Sequence, residues 1–170
     1  MHAMLDFRPT HFLISLIAGG LVLTAIYVEP FASLEPCPMC MMQRLIFVLI
    51  ALVSLTAALH HPLGRSRHLY SGLTGILALS GSVVAGRQVW LQNLPEDRVP
   101  ACGPGLEYML DVFPLLEVVE MALVGTGDCA KVQWTQFGLS IPGWSLIIFS
   151  IFALCCMYLF RNKNTIKLNN

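Results

Sequence analysis

Cys37-Pro38-Met39-Cys40 is the first stretch of this chain whose residue types and spacing could do chemistry. A C-x-x-C pair can close and reopen as a disulfide with little motion of the chain, and it can also supply half of a four-thiolate zinc site. The other candidates, Cys102 and Cys129, are too widely separated for the paired spacing of a zinc ribbon, so no metal site is expected. A c-type haem is disfavoured too, because Met41 rather than His follows Cys40. Thiol–disulfide exchange is the chemistry these four cysteines fit best, and two permanent structural disulfides are the alternative.

The surroundings of Cys40 favour the reactive reading. Proline is tolerated in a first helical turn, so a helix beginning near Pro38 places Cys40 among unpaired N–H groups at the positive end of the helix dipole, where a thiolate is stabilised. Arg44 follows four residues later and its cation reaches the same face. Both influences raise the thiolate fraction. An arginine at the mouth of a membrane span either snorkels to headgroups or serves a polar ligand; beside a dithiol, it is positioned to hydrogen-bond a lipid-soluble carbonyl.

The elements that must hold these residues are membrane helices. Of 170 residues, 56% are hydrophobic and 12% charged, and the mean hydropathy is +0.69, too apolar for an ordinary soluble domain. Four apolar stretches stand against the roughly 20 residues that cross about 30 Å of hydrocarbon. They predict an all-α, four-helix transmembrane bundle with spans at about 12–28, 43–60, 69–91 and 142–160 and external loops at about 29–42 and 92–141. A cleaved signal sequence is disfavoured for the first stretch, since no small-x-small site follows Tyr27 and Val28. Within the long loop, Leu115, Leu116, Val119 and Leu123 recur at helical spacing, which predicts a short amphipathic helix on the membrane surface or packed on the bundle. Trp144 is an expected interfacial anchor and Arg87 an anchor for the end of its helix. Gly19-Gly20 and Gly81/Gly86 read as close helix-packing sites. Cys155 and Cys156 lie inside the last span and read as inert packing residues.

Ten basic and ten acidic residues cancel, which gives no support to a nucleic-acid surface. Their positions are not balanced. Arg8, Arg65, Arg67, Arg161, Lys163 and Lys167 share the side of the termini with one acid, Asp6, and the other nine acids fall on the opposite side. By the positive-inside rule both termini are cytoplasmic. The loops carrying the four cysteines then face outward, into an oxidising compartment where disulfides persist.

Electrons taken from thiols need an acceptor, yet there is no G-x-G-x-x-G fingerprint and no βαβ pattern for a flavin or nicotinamide domain. A membrane quinone needs neither, and would reach Cys40 and Arg44 laterally through the bilayer. A small transporter is a weaker reading, because the span interiors are nearly free of charge.

The segments PCPMCMMQR (36–44), PACGPGLEYML (100–110) and GTGDCAKVQWTQFGLSIPGW (125–144), in this order among four spans, resemble the DsbB-type disulfide bond formation proteins of bacterial inner membranes over nearly the whole chain. The resemblance implies a Cys37–Cys40 redox disulfide, a second one between Cys102 and Cys129, and a periplasmic thioredoxin-fold partner of the DsbA type. It selects that arrangement from the three pairings four cysteines permit. It also implies Arg44 as the contact to a quinone, ubiquinone or menaquinone, that receives the electrons. Two departures stand out. Neutral Gln43 occupies the position before the arginine where family members can carry an acid, and no histidine follows His68, although some members place one after the third span.

Overall fold

The computed structural model describes residues 6–32, 37–60, 62, 64–101, 108, 111–132 and 134–161. Four long helices dominate it: α1 (Phe7–Ala32), α2 (Pro38–Leu59), α3 (Arg65–Gln92) and α6 (Ile141–Arg161). Each is long and apolar enough to cross a membrane. The second begins at Pro38, because a proline at the first helical position sacrifices no hydrogen bond, and it absorbs the CxxC motif into its first turn. The segment between α3 and α6 holds α4 (Leu115–Val124), a single turn α5 (Gly127–Ala130), and an antiparallel hairpin of β1 (Thr135–Gln136) and β2 (Leu139–Ser140).

The bundle packs α1 on α2, α2 on α3 and α3 on α6. Phe47 of α2 stacks on Phe149 of α6 with ring centroids 4.0 Å apart, and Phe152 meets Phe47 edge-on. Ile14, Ala18, Ile50, Ala78 and Ala85 complete this core. The close approach of α3 to α6 depends on Gly81, where an added Cβ would lie 2.6 Å from the Phe149 ring. Cys156 is buried in this core against Gly75, while Cys155 is half-buried. Gly19 and Gly20 behave otherwise: an added Cβ at either meets nothing within 4 Å, so they do not seat a neighbouring helix in this chain.

The helices' outer faces carry Leu16, Leu23, Ile76, Val83 and Leu154, each more than half exposed. Such surface is untenable in water and ordinary in lipid, which makes the bilayer the solvent that completes this fold. Polar side chains are turned inward. His11, fully buried, bridges helices by contacts to Ser54 Oγ (3.4 Å) and Ser71 Oγ (3.2 Å), satisfying groups that lipid could not.

The amphipathic helix exists as α4, with Leu116, Val119 and Leu123 of its apolar spacing left exposed. Val118 and Ala122 are buried. Leu116, Val119 and Leu123 are therefore left for lipid, and Val118 and Ala122 seat the helix on the bundle. Its end is pinned by Arg87 Nη2, which donates to the Val124 carbonyl at 3.2 Å, a cation at a helix C-terminus. At Gly125 the backbone takes φ +86 and passes so close to Leu91 that a side chain has no room. This close passage delivers α5, and with it Cys129, to the start of α2.

Candidate functional site

Cys37 caps α2 in extended conformation, with Cys40 in the first turn, so the helix start itself sets the geometry of the pair. Both are thiols here, Sγ to Sγ 2.9 Å, and the Cys40 backbone N–H donates to Cys37 Sγ at 3.4 Å. From the far loop, α5 brings Cys129 onto the same spot. Cys37 and Cys129 are buried together with Met39, Val84 and Leu91, and Cys40 packs against them. A sequence separation of nearly a hundred residues is thus closed to thiol contact.

The proton inventory of this cluster is polarised. The Cys129 thiol is lowered to about 6, first because Cys37 hydrogen-bonds to it; the backbone N–H groups of Met39 and Thr126 and the Thr126 hydroxyl (3.7 Å) reinforce this against the cost of burial. Cys37 is pushed up, since its proton is held by Cys129 and then by Cys40. Cys37 thus lies between two more acidic thiols, within reach of both.

Cys102 lies outside the described residues. Its neighbour Ala101 does not: the Ala101 carbonyl accepts from Gly127 N at 3.2 Å, fastening the residue before Cys102 to the turn that carries Cys129.

On the other side of the pair, Cys40 and Arg44 both line a cleft of about 410 Å³. Phe47, Trp134, Trp144 and Ile148 supply much of its apolar wall. The guanidinium is clamped from α1 by Glu29, with Nη1 and Nη2 donating to the two carboxylate oxygens at 2.9 and 2.8 Å. Such a bidentate pair fixes the rotamer and leaves other N–H groups of the five for a ligand. Arg44 is therefore held in place rather than snorkelling freely. Trp144 donates through Nε1 to the Gln136 carbonyl at 3.2 Å and joins the hairpin to α6.

Two residues that motif reading does not single out as site residues complete the cluster. Gln88 of α3 donates through Nε2 to Cys37 Sγ and to Cys40 Sγ, each at 3.2 Å. Its own oxygen accepts from Gln43 Nε2 at 2.7 Å. Position 43, where the acid of some family members is replaced, thus holds one end of an amide pair. Gln92 accepts from Ser140 Oγ at 2.7 Å, and Arg87 lies over the Trp90 ring. Among the described residues, no cluster of three or more His, Cys, Asp or Glu side chains could hold a metal ion.

The family model described as "Disulfide bond formation protein DsbB" matches residues 7–159. "Disulfide bond formation protein B" of Hahella chejuensis is 54% identical over 149 residues, covering 88% of this chain and 90% of that protein. The protein of the same name from Marinobacter nauticus is 49% identical, covering 89% and 90%. "Disulfide bond formation protein B 1" of Pseudomonas aeruginosa is 50% identical, covering 78% and 79%.

Proposed function

The chain belongs to the DsbB family of disulfide bond formation proteins, a multi-pass membrane family, and from that membership we propose that it reoxidises a periplasmic thioredoxin-fold dithiol oxidase of the DsbA type and delivers the electrons to a membrane quinone. The observation that carries this reading is the two-sided placement of the dithiol: Cys37 touches Cys129, while Cys40 opens with Arg44 onto an apolar cleft within the bundle.

In this reading the two disulfides are Cys37–Cys40 and Cys102–Cys129. A partner thiolate attacks Cys102, and the electron pair of the broken bond leaves on Cys129. Cys129 then attacks Cys37, the Cys37–Cys40 bond breaks, and the electron pair moves to Cys40. Resolution of the partner's mixed disulfide by its second thiol releases it oxidised and returns Cys102 as a thiol, which attacks Cys129, re-forms the Cys102–Cys129 bond and releases Cys37; Cys37 and Cys40 then close again as a disulfide and give up the two electrons and two protons. The depressed Cys129 thiol supports its role as leaving group, since a better thiolate departs faster.

The cleft suits a quinone headgroup: its volume and apolar lining match a small-molecule site, and the clamped Arg44 offers charged N–H donors to a carbonyl oxygen. A bound quinone would accept two electrons and two protons and leave as quinol. Cys40 presents its sulfur to that space, Arg44 orients the ring, and Trp134 and Trp144 exclude water from it.

The test follows quinone absorbance in purified protein after addition of a reduced thioredoxin-fold periplasmic oxidase. Wild type should consume quinone, Cys40→Ser should abolish this, and Arg44→Ala should slow it. A folded, quinone-supplied preparation that reduces none with several such partners would overturn the reading and leave permanent disulfides as the role of the cysteines.

A further inference from the structure

We infer that Gln88 is a catalytic residue of the Cys37–Cys40 pair, its carboxamide N–H groups receiving the charge that appears on sulfur when the disulfide opens, and that Gln43 is the positioning residue that aims it. The inference rests on the exchange chemistry proposed above and deepens it at the level of one side chain.

The argument begins with cost. Gln88 and Gln43 are 2% and 4% exposed inside a membrane bundle, where each amide must find partners or forfeit several kcal/mol. A pair of glutamines joined only to each other would satisfy one donor and one acceptor and serve as interhelical glue. Here the pairing is directional. The Gln43 donor takes the Gln88 oxygen at 2.7 Å, which turns the Gln88 nitrogen toward the dithiol. That nitrogen lies 3.2 Å from both sulfurs, and it carries two hydrogens, one for each.

The chemistry these contacts serve follows from where charge appears. When an incoming thiolate attacks Cys37, its sulfur bonds to Cys37, the Cys37–Cys40 bond breaks, and the electron pair settles on Cys40. A neutral disulfide sulfur is a poor acceptor and a thiolate a strong one. The N–H···S contact to Cys40 therefore strengthens as the bond opens, which favours the reduced pair and speeds departure of Cys40. A donor already aimed before the charge arrives stabilises the transition state without reorganising, as in an oxyanion hole. Arg44 is paired with Glu29, and the neutral amide is the donor that meets both sulfurs.

The experiment uses the full chain in detergent, stripped of quinone and equilibrated across a series of reduced and oxidised dithiothreitol, with each cysteine pair read by alkylation and peptide mass. Gln88→Met, which keeps the volume and loses the donor, should shift the Cys37–Cys40 equilibrium toward the disulfide by about tenfold, or about 30 mV more negative. Gln88→Asn, a milder change that withdraws the amide by one methylene, should move the same way and guards against misfolding of the first variant. Gln43→Leu should give a smaller shift of the same sign, and Cys102–Cys129 should stay within about twofold of wild type in all three. Wild-type poise of Cys37–Cys40 in the Gln88 variants, with only the melting temperature lowered, would overturn the inference and leave the pair as structural glue. Because the measurement contains no quinone, it can fail while the wild type still reduces quinone, and the two readings fall separately.

Discussion

Cys129 illustrates how a loop residue acquires reactivity from a helix it does not belong to. Its thiol is lowered by the Cys37 hydrogen bond and by the Met39 N–H at the start of α2, a donor left free because first-turn amides have no intrahelical partner. A group lowered to about 6 is a thiolate at neutral pH and is lost as pH falls through that value. Fully reduced protein should therefore lose ultraviolet thiolate absorbance between about pH 7 and pH 5, and the Cys129→Ser variant should lack that portion of the change; identical curves would remove Cys129 from the thiolate inventory. At Arg44, removal of a charge-assisted hydrogen bond is worth about 1.5–3 kcal/mol. Arg44→Ala should thus raise the KM for quinone by about 10- to 100-fold in steady-state assays, and Glu29→Gln should have a smaller effect because an amide still engages one Nη. The cysteines and Arg44 were readable from sequence because their chemistry is distinctive at short spacing. Glu29, Gln43 and Gln88 were not assigned there, because a carboxylate and two amides on three separate helices form a site only after those helices pack.

At the scale of elements, the four spans were legible for an equally plain reason: an uninterrupted apolar run has no other stable fate in a chain of this hydropathy. Which face of each helix turns inward was less legible, because in lipid both faces are apolar and the usual amphipathic signal fades. The glycines show this. Gly19-Gly20 and Gly81 are alike as sequence, yet only Gly81 admits a neighbouring ring, and the first pair faces open space. The same ambiguity hid the seat of α4, where Val118 and Ala122 are buried while Leu116, Val119 and Leu123 are exposed. Packing at Gly81 has a measurable consequence. Gly81→Val must displace Phe149 from its stack on Phe47, and overpacking of this kind costs about 1–3 kcal/mol. Gly20→Ala should change stability by less than about 0.5 kcal/mol. Denaturant unfolding in micelles, read by helical signal, compares the two, and equal effects would show that the α3–α6 contact is looser than the ring geometry requires.

Across the whole molecule, chemistry is confined to one end of the bundle. The C-terminal turn of α1 supplies Glu29, the N-terminus of α2 supplies Cys37, Cys40, Gln43 and Arg44, the C-terminal turns of α3 supply Gln88, and the start of α6 supplies Trp144. The opposite end holds Arg8, Arg65, Arg67 and Arg161, with Arg8 donating to the Ala58 carbonyl at the close of α2. This polarity suits the proposed function, in which the exchange site meets a soluble partner on one side and its acceptor arrives through the membrane plane. We propose from the positive-inside rule that the end remote from Cys37 and Cys40 is cytoplasmic. Single cysteines introduced at Ser66, in the first turn of α3, and at Asp97, in the loop after it, test the assignment in intact cells with a membrane-impermeant maleimide. Relative to the parent chain, Asp97→Cys should gain label at once and Ser66→Cys only after lysis. The reverse pattern would place the dithiol in a reducing compartment, where a disulfide donor to secreted proteins has no substrate, and label at both sites in intact cells would show that the four helices do not form a closed span between two compartments.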